Sequence, residues 1–145
     1  MEDPRKKVTN TPDEVADLIS DIIKDKIVLD IGCGEGDFMQ AMSKYAKDVL
    51  GIEEIEERAK IAQNKGLKVR HTTSYFDEFP QVDVYYCWTR DVIGNYLKAK
   101  DEGKHGIFIL GKSTRPAFKE FIKRIDTEWR KLDGDPFWGV YITKL

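Results

Sequence analysis

Short apolar runs and helix-spaced apolar residues alternate along this chain, and that alternation restricts its fold more than any single motif does. IVLDI (27–31), VLGIE (49–53), LKVRH (67–71), VDVYYCW (82–88) and GIFILG (106–111) read as strands, the fourth rich in β-branched and aromatic residues. Val15, Leu18, Ile19, Ile22 and Ile23 repeat at helical spacing ahead of the first strand. Four further helix faces follow: Phe38, Ala41, Met42 and Tyr45; Ile55, Ala59 and Ala62; Val92, Ile93, Tyr96 and Leu97; and Phe118, Phe121, Ile122 and Ile125. Pro12 suits the first turn of the first helix, and Gly66 suits a C-terminal cap. TEWRKL and FWGVYITKL flank Asp133-Gly134-Asp135-Pro136, two strand-like runs about a turn, which predicts a closing hairpin. Strands alternating with helices predict an α/β architecture with a mostly parallel sheet covered on both faces, to which the hairpin adds an antiparallel pair. One interval is irregular: HTTSYFDEFPQ, between the third and fourth strands, is too short for an ordinary crossover helix.

A chain of 145 residues holds one such sheet and little else, so a single domain over 1–145 is expected. The net charge of −2 gives no global attraction to nucleic acid or anionic lipid, although Lys112, Arg115, Lys119, Lys123 and Arg124 could form a local basic face. The two cysteines, Cys33 and Cys87, are far apart and suggest no disulfide framework, which points to a reducing, cytoplasmic setting. MEDPRKKVTN carries no apolar stretch of a secretory leader, and no run approaches a membrane span, so no membrane partner is expected. His71 and His105 are isolated, which argues against a metal site.

The chemistry concentrates at VLDIGCGEGDF (28–38), where a strand ends at an acid and glycines follow at Gly32, Gly34 and Gly36. In an open parallel sheet, ligands bind beyond the carboxyl ends of the strands. A dinucleotide site would have its third glycine one residue later, and Asp37 would oppose a pyrophosphate at the helix start. That disfavours an oxidoreductase, and Gly36 is followed by Asp37-Phe38 with no G-K-[ST], so this turn is not a P-loop. A cationic ligand without phosphate fits better. S-adenosylmethionine offers a sulfonium and an amino group to a strand-end carboxylate, and two ribose hydroxyls to a second acid. Glu53 stands at the end of the second strand, where that second acid belongs.

D-I-G-C-G-E-G followed by G-I-E resembles the class I S-adenosylmethionine-dependent methyltransferases, over nearly the whole chain. The resemblance implies a doubly wound, Rossmann-like, mostly parallel seven-stranded sheet of order 3-2-1-4-5-7-6 with a C-terminal antiparallel hairpin. It further implies that Asp30, Gly32, Cys33, Gly34 and Gly36 line the methionine part of the cofactor and that Glu53 holds the ribose. Ser74 or Asp77 would meet the adenine amino group, and Tyr75 or Phe76 would stack on the ring. Trp88 would line the mouth of the site. The fourth strand ends in Cys87-Trp88-Thr89-Arg90, without the N/D-P-P-Y/F sequence found in enzymes that methylate base amines or glutamine. The T-P-D-E-V start is similar to the T-P-x-x-V entry of small archaeal-type protein lysine methyltransferases. The expected activity is therefore methyl transfer to a protein amine, lysine above others. An RNA methyltransferase, a small-molecule methyltransferase and a non-catalytic S-adenosylmethionine-binding module are the alternatives. Asp91, Tyr75 and Tyr86 are candidates for a general base, with none singled out.

Overall fold

The computed structural model describes residues 11–73, 77–133 and 138–145. The chain opens with α1 (Thr11–Leu18) and α2 (Ser20–Ile23), then alternates β1 (Ile27–Ile31), α3 (Asp37–Met42), β2 (Asp48–Glu53), α4 (Glu56–Asn64) and β3 (Lys68–His71). It continues through β4 (Val84–Cys87), α5 (Val92–Asp101), β5 (Ile107–Gly111) and α6 (Pro116–Ile122) to the hairpin strands β6 (Glu128–Lys131) and β7 (Gly139–Lys144). The seven strands form one sheet in the order β3-β2-β1-β4-β5-β7-β6. The first five run parallel, and β7 is antiparallel to both β5 and β6. This is the expected order. The hairpin turn itself, residues 134–137, lies outside the described residues.

Strands buried on both faces explain the near-continuous apolar runs. On one face Val15, Ile19, Ile23, Met39 and Met42 pack over Val28, Val49 and Tyr86. On the other, Val92, Tyr96 and Phe118 pack over Leu29, Tyr85, Phe108 and Leu110. Tyr85 and Tyr86, adjacent in β4, therefore serve opposite cores. Arg130 in β6 ties the N-terminal helices down, donating to the Asp21 carboxylate at 2.6 and 3.0 Å and to the carbonyl of Leu18 at 2.9 Å.

Four helix-face assignments are corrected, two of them because Tyr45 and Ile125 fall past the ends of α3 and α6. Leu97 is 45% exposed, because the buried stripe of α5 runs through Val92, Asn95, Tyr96 and Ala99. Ile55 is also 45% exposed, since it precedes α4 in extended backbone. The helix read across 15–23 is interrupted at Ile19. Between β3 and β4 no helix occurs among the described residues. The sheet face there is left as a hollow of about 930 Å³, floored by Leu29, Leu50 and Ile52 and walled by Phe79 and Pro80. No helix among the described residues is long and apolar enough to cross a membrane.

Candidate functional site

The turn after β1 is built from left-handed glycines, Gly32 at φ +73°, Gly34 at +57° and Gly36 at +94°. The amides of Gly32 and Cys33 both donate to the carbonyl of Ile52, at 2.9 and 3.0 Å, which joins the turn to β2. The three glycines do different things. A methyl group at Gly32 would fall 2.3 Å from the Thr89 side chain, so its absence lets the loop after β4 close over the turn. A methyl group at Gly36 would fall 2.2 Å from Leu67, behind the turn and against α4. At Gly34, chain neighbours aside, no heavy atom of the described residues lies within 4 Å of that position.

Two carboxyls converge on this turn. Asp30 is 2% exposed, and its Oδ2 has no hydrogen-bond partner among the described residues. Burial, reinforced by the charge of Glu53, holds its carboxyl well above the ordinary range. Glu53 is 5% exposed and accepts from the amide of Gly34 at 2.8 Å and from that of Ile55 at 2.8 Å, one bond to each oxygen. It thus clamps the glycine turn to the start of α4, and each oxygen keeps a further lone pair. Cys33 packs by its sulfur against Gly51. Burial pushes its thiol upward, and pushes Cys87 to about 12, so neither is a thiolate nucleophile.

Beyond the carboxyl ends of β1, β2 and β4 lie two adjoining hollows that share Gly32, Arg58 and Trp88. The smaller, about 360 Å³, is lined by Pro12, Asp30, Cys33, Gly34, Phe38 and Tyr86. The larger, about 500 Å³, is lined by Glu53, Ile55, Thr72, Thr89, Asp91 and Asn95. Trp88 is half-buried between them. Its indole N–H donates to the Lys112 carbonyl at 3.2 Å, and its ring sits 6.0 Å from that of Phe38 and 5.8 Å from that of Trp138. Together the hollows present six carboxyl groups (Asp30, Glu35, Asp37, Glu53, Glu54 and Asp91) against two guanidinium groups (Arg58 and Arg90). Such a lining, with aromatic walls, suits a cationic guest.

Several solved structures with this architecture are methyltransferases. Magnesium protoporphyrin IX methyltransferase from Synechocystis PCC 6803, solved with bound S-adenosylmethionine, superposes with a TM-score of 0.70 at 15% identity, over 97% of this chain and 80% of that one. Ribosomal protein L11 methylase from Lactobacillus delbrueckii gives 0.69 at 16% identity, over 94% and 79%. An RNA methyltransferase from Salinibacter ruber, in complex with S-adenosylhomocysteine, gives 0.62 at 16% identity, over 99% and 93%. The fold is that of the class I methyltransferases. No protein-family model and no curated protein sequence matches the chain.

Within this methyltransferase fold, Asp30, Gly32, Cys33, Gly34, Glu53 and Trp88 come together around one cleft. Gly36, expected beside them, is instead a buried packing position behind the turn. Ser74 and Tyr75, with Phe76, lie outside the described residues. Asp77, the rival to Ser74, accepts from the Thr72 hydroxyl and lines the hollow on the sheet face beside β3. Tyr86 is no general base, because burial drives its hydroxyl well above the usual tyrosine range. Arg58, Phe38, Thr89 and Asn95 escape the sequence reading. Arg58 is hidden in the charged run EEIEERAK, and Phe38 reads as an ordinary helix-face residue. Asn95 does leave a signal: it is a polar residue at a buried position of α5, where it donates to the carbonyl of Asp91 at 2.9 Å and steadies the loop after β4.

Proposed function

We propose that this chain is an S-adenosylmethionine-dependent methyltransferase, working as one domain over residues 1–145, and that its acceptor is a protein amine, lysine above others. The observation that carries the reading is the acid-rich cleft around a fully buried carboxyl oxygen of Asp30 that has no partner among the described residues. A buried polar atom without a partner is costly, and a cationic ligand offsets that cost. The residues fit S-adenosylmethionine. Asp30 would face its positively charged methionine end, and Gly34 would leave room beside it. The remaining lone pairs of Glu53 would accept from the ribose hydroxyls, and Trp88 would wall the mouth. When bound, the cofactor supplies a methyl group made electrophilic by the sulfonium.

The chain's own residues position the acceptor and exclude water. Trp88 would flank an alkyl-ammonium stem, a contact of roughly 0.5–2 kcal/mol that favours the charged amine. The acceptor must lose that proton before it attacks, and no cleft residue is assigned to take it. The proton then leaves to solvent, and the rate rises toward alkaline pH. The same acids oppose phosphate at the mouth, which favours a lysine over a nucleobase. Free, buried Cys33 and Cys87 agree with a reducing compartment, and cytoplasmic residence belongs to this proposal.

Calorimetric titration with S-adenosylhomocysteine, then transfer of radiolabelled methyl into fractionated lysate, tests the reading. Label should be protease-sensitive and recovered as methyl-lysine by mass spectrometry. Binding without transfer would indicate a cofactor-binding module, and label lost on nuclease treatment would indicate RNA.

A further inference from the structure

Tyr86 is 1% exposed, and its hydroxyl is the other buried side-chain oxygen, beside Asp30 Oδ2, that has no partner among the described residues. The two are neighbours by construction. Asp30 and Tyr86 are register partners on β1 and β4, so their side chains leave the same face of the sheet from adjacent strands. Both line the 360 Å³ hollow, and the Phe38 ring packs 5.4 Å from that of Tyr86. If packing were the sole requirement, phenylalanine would fill this place without burying an unsatisfied hydroxyl.

We infer that the Tyr86 hydroxyl is a ligand-binding group which, together with the Asp30 carboxylate, accepts hydrogen bonds from the α-ammonium of the cofactor's amino-acid end. The inference rests on the cofactor reading above. One ammonium carries three N–H donors, enough to satisfy both orphaned oxygens at once. The rings of Phe38 and Trp88 add a favourable surface for the same positive charge. Tyr86 thereby selects for ligands that carry the amino-acid end over those with the nucleoside alone.

The test compares the wild-type protein with Tyr86→Phe, titrated calorimetrically with three probes. These are S-adenosylhomocysteine, its analogue lacking the α-amino group, and methylthioadenosine, which lacks the amino-acid end altogether. Wild type should bind the deaminated analogue about tenfold or more weakly than S-adenosylhomocysteine. Tyr86→Phe should lose a similar factor for S-adenosylhomocysteine, and stay within about twofold of wild type for the other two probes. Without ligand its Tm should equal or exceed that of wild type, because an unsatisfied hydroxyl has been removed. Unchanged affinity for S-adenosylhomocysteine, equal losses for all three probes, or a lowered Tm without ligand would each overturn the inference. Failure of all three probes to bind wild type would overturn the cofactor reading itself, and with it this inference. A wild type that binds the deaminated analogue as tightly as the parent sinks the role of Tyr86 even if the variant does not fold.

Discussion

Gly34 and Gly36 stand in one turn, yet substitutions at them act on different quantities. At Gly34 a methyl group meets nothing among the described residues within 4 Å, so Gly34→Ala costs chiefly the strain of φ +57°, roughly 1–3 kcal/mol. Its methyl group projects where a ligand would lie, so calorimetry should show binding of S-adenosylhomocysteine lost while far-ultraviolet circular dichroism stays native. Gly36→Ala adds a 2.2 Å collision with Leu67 to the strain of φ +94°, and thermal denaturation should show the larger fall in Tm of the two. Asp30 ties this scale to pH. Its folded-state carboxyl titrates above the ordinary 3.8, because burial first and Glu53 second penalise its charge. Asp30 therefore contributes stability that is complete below 3.8 and is lost as pH rises through its folded-state value. Asp30→Asn should raise the Tm of the ligand-free protein at neutral pH and flatten its decline as pH rises from 3.8 through the folded-state value. The same substitution should weaken binding of S-adenosylhomocysteine. A lower Tm for Asp30→Asn at neutral pH would mean that the carboxylate has a protein partner.

At the scale of elements, Arg130 fixes α1 and α2 to the edge of the sheet. Its contact with the largely exposed Asp21 is worth under about 1 kcal/mol. The bond to the Leu18 carbonyl and the packing of the arginine stem add about 1 kcal/mol more. Arg130→Met should lower stability by roughly 1–2 kcal/mol in urea titration and speed hydrogen exchange across Thr11–Ile23, with the remaining sheet unchanged. Because Arg130 lowers the Asp21 carboxyl, chiefly by hydrogen bonding, that contribution is present above 3.8 and fades as pH falls, so the difference between variant and wild type should narrow in acid. The elements were largely legible in the sequence. Every strand predicted from an apolar run exists, and the short HTTSYFDEFPQ interval does lack a helix as far as it is described. What stayed hidden depends on which side chain meets which. Periodicity puts Leu97 on the apolar stripe of α5 and overlooks Asn95 and Ala99, because it registers residue type and not the turn-by-turn phase of the helix against the sheet. Arg58 enters the cleft only because α4 starts at Glu56, a boundary that a run of charged residues does not mark. Of the glycine turn, the sequence shows the positions but not that Gly36 faces away from the cleft.

Across the whole molecule, charge is segregated although the total is only −2. Carboxyl groups gather in the cleft, while Arg115, Lys119, Lys123 and Arg124 are carried by α6 and its flanks, with Lys123 engaged by Glu120 at 3.2 Å. A substrate held by its phosphates would need those helical cations. Each neutralised phosphate would release counterions, so transfer would fall steeply with salt. A lysine entering an acid-lined cleft needs none of them, and its attraction at close range is only moderately screened. Replacing Arg115, Lys119 and Arg124 together by glutamate separates the two cases, because these residues lie outside the lining of the cleft and on an exposed surface. The triple variant should keep its Tm, bind S-adenosylhomocysteine as wild type does, and incorporate methyl label into lysate protein within about twofold of the wild-type rate. A fall of tenfold or more with cofactor binding intact would move the substrate contact to α6 and make the acceptor a nucleic acid.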